Sequence, residues 1–206
     1  MTTDQEFILR HSCIPDRYIR KGLKDLAPEM AVWRDRARLY VRSFCQRKTN
    51  TSNPGLYIVS SGDVGVGKTH LACSILRGLV LTGKAKGQVT FYSFGALALA
   101  LVADAMDRLT DQQAEMLHRL ETSRVVVLDD IDKFSGTAQA VYRIHRIIDD
   151  LWCRNIPIIV TANLLPSQLS DRFEKLGADA IVADAIVSRL VGMTELWLLD
   201  GQKDKR

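Results

Sequence analysis

The feature that most restricts the fold of this 206-residue chain is a glycine-rich loop, GDVGVGKT, at residues 62–69. An apolar stretch, LYIVS at residues 56–60, comes before it, and apolar residues recur at helical spacing after it. A strand, a loop of the form G-x-x-x-x-G-K-[ST] and a helix, in this order, surround phosphate with backbone N–H groups and a helix N-terminus. The sequence therefore predicts a parallel α/β sheet with a phosphate site at one strand end.

The loop and the residue after it supply the predicted nucleotide contacts: Gly62, Asp63, Val64, Gly65, Val66, Gly67, Lys68, Thr69 and His70. The glycines allow the backbone to wrap closely around phosphate. The Lys68 ammonium can reach the β- and γ-phosphates, and the Thr69 hydroxyl can bind Mg²⁺. A chance glycine turn is the alternative, and the strand before the loop and the helix after it argue against that alternative.

Two further apolar strands are predicted to end in polar side chains. The stretch RVVVLDD at residues 124–130 ends in Asp129 and Asp130, and IPIIVTAN ends in Asn163. At the carboxyl edge of a parallel sheet, Asp129 would hold Mg²⁺ through water, and Asp130 would orient or deprotonate the attacking water. Asn163 could hydrogen-bond the γ-phosphate or that water. The alternative for the acidic run is a helix cap, and we assign that role to Asp132.

Strands are predicted to alternate with helices along the whole chain, which is typical of a parallel α/β fold. Predicted strands cover residues 56–60, 89–94, 124–130, 156–163 and 195–199. Helices are predicted from residue 28 to about 44, and over residues 71–83, 96–108, 110–120, 141–151 and 178–190, with a short one from residue 166. Residues 1–13 show no period and are predicted to be a flexible arm. A basic helical segment, 14–53, would precede a nucleotide-binding core, 54–206.

Charge is unevenly distributed along the chain. The net charge is +4, yet residues 16–48 hold ten basic and four acidic residues, a net +6. This segment fits either a polyanion partner or a solvated helix face. The four cysteines are scattered, and the first residues lack the apolar core of a secretory signal. No apolar run approaches a membrane span, so we expect a cytoplasmic protein without a membrane partner.

Five stretches together resemble the AAA+ ATPases of the DnaC/DnaI helicase-loader type, with the IstB-like transposition ATPases as close relatives. They are IPDRY, GDVGVGKTHLA, VVVLDDID, IPIIVTANLLPSQL and DAIVSRLVGM, and the resemblance runs from Ile14 to Arg206. It implies a P-loop NTPase fold, a three-layer sandwich around a five-stranded parallel sheet of order 5-1-4-3-2, without a separate helical lid. The GDVGVGKT loop would be Walker A, Asp129 and Asp130 Walker B, and Asn163 sensor 1. Arg189 would be an arginine finger that acts on the next protomer.

The resemblance also implies a function. ATP and Mg²⁺ would be the cofactors, and Ile14 and Tyr18 would lie near the adenine. The partners would be a hexameric replicative helicase, single-stranded DNA along residues 96–120 and a second copy of the chain at the ATP site. The family's loaders usually grip the helicase through an N-terminal domain, so with about a dozen residues before IPDRY that contact is lost or moves elsewhere. Asp130 stands where Walker B usually has glutamate, so we expect slow hydrolysis.

Other functions share parts of this pattern. An IstB-like helper of transposition would use the same residues on duplex DNA beside a transposase. A small-molecule phosphoryl-transferase would need an acceptor pocket and an arginine-rich mobile segment, and the sequence has no such segment. A DNA-binding scaffold that does not hydrolyse ATP is a further alternative. Arg189 itself is either a finger or an ordinary surface arginine near a helix end.

Overall fold

A parallel sheet of five strands forms the centre of the computed structural model, which describes residues 1–44, 55–60, 65–83, 85, 87–134 and 136–199. The strands are β1 (Gly55–Val59), β2 (Val89–Ser93), β3 (Val125–Asp129), β4 (Ile158–Ala162) and β5 (Thr194–Leu198). All neighbouring strands are parallel, and their spatial order is β2-β3-β4-β1-β5. The predicted order 5-1-4-3-2 is the same order read from the other edge, so it is confirmed.

Helices connect the strands on both faces of the sheet. The α-helices are α1 (Thr3–Arg10), α2 (Asp16–Ile19), α3 (Ala31–Phe44), α4 (Lys68–Leu81), α5 (Phe94–Ala105), α6 (Asp111–Thr122), α7 (Ala138–Cys153), α8 (Pro166–Lys175) and α9 (Ala180–Met193). Three short 3₁₀ helices cover Leu23–Asp25, Pro28–Met30 and Ile131–Lys133. The last of these follows β3 directly and is important for the site.

The core consists of two apolar layers, one on each face of the sheet. Successive side chains of a strand point to opposite faces, so Leu56 and Ile58 of β1 join the cluster around α4, whereas Tyr57 and Val59 join the cluster around α7 and α9. The other central strands divide in the same way. Both faces are covered, which explains why these strands read as continuous apolar runs, and the predicted three-layer arrangement is confirmed.

The predicted flexible arm is wrong for most of its length. Residues 3–10 form α1, which begins at a capping box between Thr2 and Gln5. The side chain of Leu9 is only 4% exposed, and the carbonyl of Ser12 accepts a hydrogen bond of 2.7 Å from the N–H of Phe91 on the edge strand β2. The sequence did not indicate this helix because its apolar residues Phe7, Ile8 and Leu9 are consecutive and show no helical period. Of these, Phe7 is 63% exposed.

Most element boundaries fall within a few residues of the predicted ones. The helix predicted over 96–108 covers Phe94–Ala105, and the one predicted over 178–190 covers Ala180–Met193. Pro28 opens a 3₁₀ turn that leads directly into α3. The end of the predicted basic segment, residues 45–53, lies outside the described residues. Among the described residues, no helix has the length and apolar character needed to cross a bilayer.

Candidate functional site

The described part of the glycine loop leads directly into α4. Gly65 and Gly67 have φ angles of 90° and 94°, a region that favours glycine, and Gly67 is the N-cap of the helix. The helix N-terminus, with its unpaired N–H groups and positive dipole end, therefore lies immediately after the loop. The predicted phosphate contacts Gly62, Asp63 and Val64 lie outside the described residues.

Lys68, the first residue of α4, is held at the carboxyl edge of the sheet. Its ammonium donates to Ser60 Oγ at 2.7 Å, just after β1, and to Asn163 Oδ1 at 2.8 Å, just after β4. The residue is only 7% exposed, and burial lowers the pKa of its amine. Two strand ends thus orient one buried cation beside the loop that precedes it.

Thr69 and Asp129, the two predicted Mg²⁺ ligands, meet at the end of β3. The Thr69 hydroxyl is 2.9 Å from Asp129 Oδ1, and the Thr161 hydroxyl donates to the same oxygen at 2.7 Å. Burial raises the pKa of Asp129, and the hydrogen bond from Thr161 acts in the opposite direction. A hydroxyl and a carboxylate form an all-oxygen donor set of the kind that suits Mg²⁺. The residues present therefore fit the predicted ion.

Asp130 occupies an unusual backbone conformation between β3 and the following 3₁₀ turn. Its φ and ψ are 57° and 52°, in the left-handed region, where aspartate is better tolerated than most residues. Its N–H donates to Thr161 Oγ1 at 2.9 Å, and its carboxylate accepts a 2.8 Å hydrogen bond from Lys133 Nζ. This hydrogen bond raises the pKa of Lys133.

Asn163 is oriented by Asp132. One carboxylate oxygen of Asp132 accepts from the backbone N–H of Asn163 at 3.0 Å, and the other accepts from its side-chain Nδ2 at 3.0 Å. The role of helix cap that the sequence suggested for Asp132 is therefore wrong, because these hydrogen bonds join it to a residue 31 positions away. The amide oxygen of Asn163 accepts the hydrogen bond from Lys68.

Tyr18 and His70 form a stack next to the start of α4. Their ring centroids are 5.3 Å apart, and the Arg17 guanidinium lies 4.7 Å from the centroid of Tyr18. Burial, followed by the nearby Lys21 ammonium, lowers the pKa of His70. Ile14 is buried in the apolar cluster on the α4 face of the sheet. The structure thus brings Tyr18 and His70 together. The adenine contact of Ile14 and Tyr18 and the nucleotide contact of His70 stay predictions.

Arg189 lies apart from the residues described so far. It is on α9, where its Nε donates to Asp149 Oδ1 at 2.5 Å and one terminal nitrogen donates to the Ala185 carbonyl. Both partners belong to the helical layer formed by α7 and α9. Within the described residues, Arg189 has no hydrogen bond or ion pair with Lys68, Asp129 or Asn163.

Sequence reasoning missed four polar residues that support the site: Ser60, Thr161, Asp132 and Lys133. Thr161 could have been recognised from the sequence, because it is the one residue with a hydroxyl in the apolar strand β4. Ser60 follows a buried strand and precedes the loop, the usual position for a ligand-facing residue. The contacts of Asp132 and Lys133 depend on the turn after β3, which spacing alone does not define.

The model of the IstB-like ATP-binding proteins matches residues 35–203, more than three quarters of the chain. The chain belongs to the IstB-like ATP-binding protein family. The predicted AAA+ relationship of the DnaC/DnaI type is also confirmed, because the structure of the DnaC helicase loader, at 26% identity, superimposes on 89% of the chain.

Known relatives of this IstB-like protein come from two contexts. An ATP-binding protein in an insertion sequence of Mycobacterium tuberculosis is 26% identical over 147 residues. The match covers 71% of this chain and 55% of the relative, so the chain spans little more than half the length of that curated relative. The DnaC helicase loader structure has a TM-score of 0.67 and 26% identity, over 89% of this chain and 99% of that one.

A third similarity concerns the fold alone. The crystal structure of DnaI matches with a TM-score of 0.71 at 21% identity, over 90% of this chain and 94% of that one.

These comparisons agree with the site geometry of the IstB-like chain. A buried lysine, a hydroxyl–carboxylate pair and an amide converge on one sheet edge beside a glycine loop, an arrangement suited to binding a nucleoside triphosphate.

Proposed function

We propose that this protein is an ATP-hydrolysing AAA+ protein that loads or remodels a hexameric replicative helicase on DNA during replication initiation. The observation that carries the proposal is the match to the DnaC helicase loader, which covers 99% of that structure at 26% identity. The same level of identity to the insertion-sequence relative covers 55% of that protein. The superposition thus includes nearly all of the solved loader chain, whereas the sequence alignment leaves nearly half of the insertion-sequence relative unmatched. The protein would act in the cytoplasm.

In this function each site residue has its own role in phosphoryl transfer to water. The Lys68 ammonium would give up its hydrogen bonds to Asn163 and Ser60 and would contact the β- and γ-phosphates instead. Thr69 and Asp129 would hold Mg²⁺. When bound, Mg²⁺ neutralises the charge that develops on the phosphate oxygens. Asp130 would orient or deprotonate the attacking water, and its short side chain suits slow turnover.

Assembly would complete the site. Arg189 would act on the nucleotide of a neighbouring copy, because in its own chain its hydrogen bonds run to α7 and α9 rather than to the site. Single-stranded DNA would follow the surface of α5 and α6. The positive charge would come from basic residues before β1, because α5 and α6 together hold one arginine and four acidic residues. ATP would favour assembly, and hydrolysis would release the helicase.

The decisive experiment is capture of the purified host replicative helicase by the immobilised protein with ATP, with ADP and without nucleotide. We expect capture that depends on ATP and is lost in Lys68→Ala, which removes the buried ammonium and nucleotide binding. Lys175→Ala, at an exposed position of α8, is the matched control and should behave as wild type. Equal capture in all three nucleotide states, or none in any, would contradict helicase loading.

The second candidate is a helper of DNA transposition. The Mycobacterium tuberculosis relative in an insertion sequence favours it. Assembly on duplex DNA in the presence of ATP, together with capture of a transposase from the same genome and no capture of the helicase, would establish this function in place of helicase loading. The nucleotide site would work in the same way in both cases.

A further inference from the structure

The carboxylate of Asp132 accepts two hydrogen bonds from Asn163. Its two oxygens accept the backbone N–H and the side-chain Nδ2 of Asn163, both at 3.0 Å. The amide oxygen of the same side chain accepts from Lys68 Nζ at 2.8 Å. Asn163 thus lies between a buried cation and a carboxylate.

The chemistry of the two neighbours allows one orientation of this amide. An ammonium only donates hydrogen bonds, and an ionised carboxylate only accepts them. The amide oxygen must therefore face Lys68, and the NH₂ group must face Asp132. A rotation by 180° would place the NH₂ group against the ammonium and the oxygen against the carboxylate, so that each neighbour would lose its hydrogen bond to this side chain.

The turn that carries Asp132 is fixed independently of Asn163. It is the 3₁₀ helix Ile131–Lys133, where the Ile131 side chain is fully buried. The preceding N–H, that of Asp130, is bound to the hydroxyl of Thr161 on β4. The carboxylate is thus presented to the end of β4 by a turn that is tied both to the core and to that strand.

We infer that Asp132 is a positioning residue for ATP hydrolysis, which fixes the amide of Asn163 with its oxygen toward Lys68 and the phosphate site. The inference rests on the proposed ATPase function. In this orientation Asn163 can accept a hydrogen bond from Lys68 or from the attacking water. The NH₂ group has a second N–H, which the hydrogen bond to Asp132 does not use and which can donate to the γ-phosphate.

Asp132→Asn tests the role with little change of shape. Its NH₂ group would oppose that of Asn163, so the amide loses its single orientation. We expect kcat for ATP to fall by about tenfold to a hundredfold, as for other residues that orient a reacting group, with a much smaller change in KM. The control Asp171→Asn, on the exposed face of α8, should hydrolyse ATP as wild type.

A double variant separates orientation from stability. Asp132→Asn combined with Asn163→Asp restores every hydrogen bond, because Asn at 132 then donates to a carboxylate that also faces Lys68. We expect the Tm to recover and kcat to stay low, since a negative charge now lies at the phosphate site. Recovery of both Tm and kcat, or wild-type kcat in folded Asp132→Asn, would overturn the inference.

The orientation can also be measured without hydrolysis, by ¹⁵N NMR of the side-chain NH₂ group of Asn163, assigned by its loss in Asn163→Asp. In nucleotide-free wild type this group should exchange slowly with solvent, and the protection should disappear in folded Asp132→Ala. Unprotected signals in wild type would overturn the inference. If wild type does not hydrolyse ATP but the NH₂ group is protected by Asp132, the proposed ATPase function fails, and a role in hydrolysis fails with it.

Discussion

At the scale of single residues, the site consists of buried charges whose desolvation is offset by neutral partners. Lys68 is held by a hydroxyl and an amide, and Asp129 by the hydroxyls of Thr69 and Thr161. A hydrogen bond to a charged group contributes about 1.5–3 kcal/mol, whereas an unpaired buried charge costs several kcal/mol. Since the two charges have no direct ion pair, each remains oriented and available to a nucleotide.

Asp130→Asn should abolish catalysis and preserve the fold. Asparagine tolerates the left-handed conformation of residue 130, so the free energy of unfolding should change by no more than about 1 kcal/mol, the most that the half-exposed pair with Lys133 contributes. Phosphate release should fall by about a hundredfold or more, because the variant lacks the group that activates water. Wild-type phosphate release in folded Asp130→Asn would show that water is activated elsewhere.

A companion variant, Asp130→Val, tests the backbone conformation. A β-branched side chain is poorly tolerated at positive φ, so this change should lower the free energy of unfolding by roughly 1–2 kcal/mol more than Asp130→Asn does. Urea denaturation of the two variants measures the difference. Equal unfolding midpoints would argue against the left-handed conformation of this residue.

At the scale of elements, α1 is part of the core rather than an appendage. It packs on α4, its Gln5 side chain donates to the Leu81 carbonyl at the end of that helix, and the residues after it cover the edge of β2. The same α4 carries Lys68 and Thr69 at its other end. The N-terminal helix therefore supports the element from which the nucleotide site is built.

Leu9→Ala should lower the free energy of unfolding by at least about 2 kcal/mol, because it leaves a cavity between α1 and α4. Phe7→Ala on the same helix is the control: this side chain is 63% exposed, so its loss should change the stability by no more than about 0.5 kcal/mol. Urea denaturation followed by circular dichroism measures both. A negligible effect of Leu9→Ala would mean that α1 does not pack on the core in solution.

At the scale of the whole molecule, the three-layer sandwich separates the nucleotide residues from Arg189. The strand ends gather Lys68, Asp129 and Asn163 at one edge, while Arg189 lies on α9 with Asp149 as its partner. This partly exposed ion pair contributes at most about 1 kcal/mol. Arg189 can therefore leave Asp149 at little cost when a second copy of the chain offers a nucleotide.

Arg189→Ala should retain ATP binding and lose hydrolysis by up to roughly a thousandfold, as expected for an arginine that neutralises transition-state charge. Arg143→Ala is the matched control, because Arg143 forms a similarly exposed ion pair with Asp104. A mixture of Arg189→Ala with Lys68→Ala should regain part of the activity, since each supplies the half-site that the other lacks. ATPase rates equal in wild type and Arg189→Ala across a protein concentration series would contradict a finger that acts in trans.

The sequence by itself determined the sheet and the main nucleotide residues. Apolar runs defined the five strands, of which the central β1, β3 and β4 are buried throughout. The topology of a parallel sheet required the polar ends Asp129 and Asn163 to meet beside Lys68 at one edge. These features depend on local pattern and on chain connectivity, both of which can be read from residue types and spacing.

Only the tertiary structure decided what the supporting residues do. Asp132 reads as a helix cap in the sequence, yet it binds Asn163 on the neighbouring strand. Thr161 reads as one more strand residue, yet it joins Asp129 to the N–H of Asp130. Leu9 lies in a segment without period, yet it is buried. Each role depends on contacts between residues far apart in the chain, and those contacts are determined by how the layers pack rather than by local sequence.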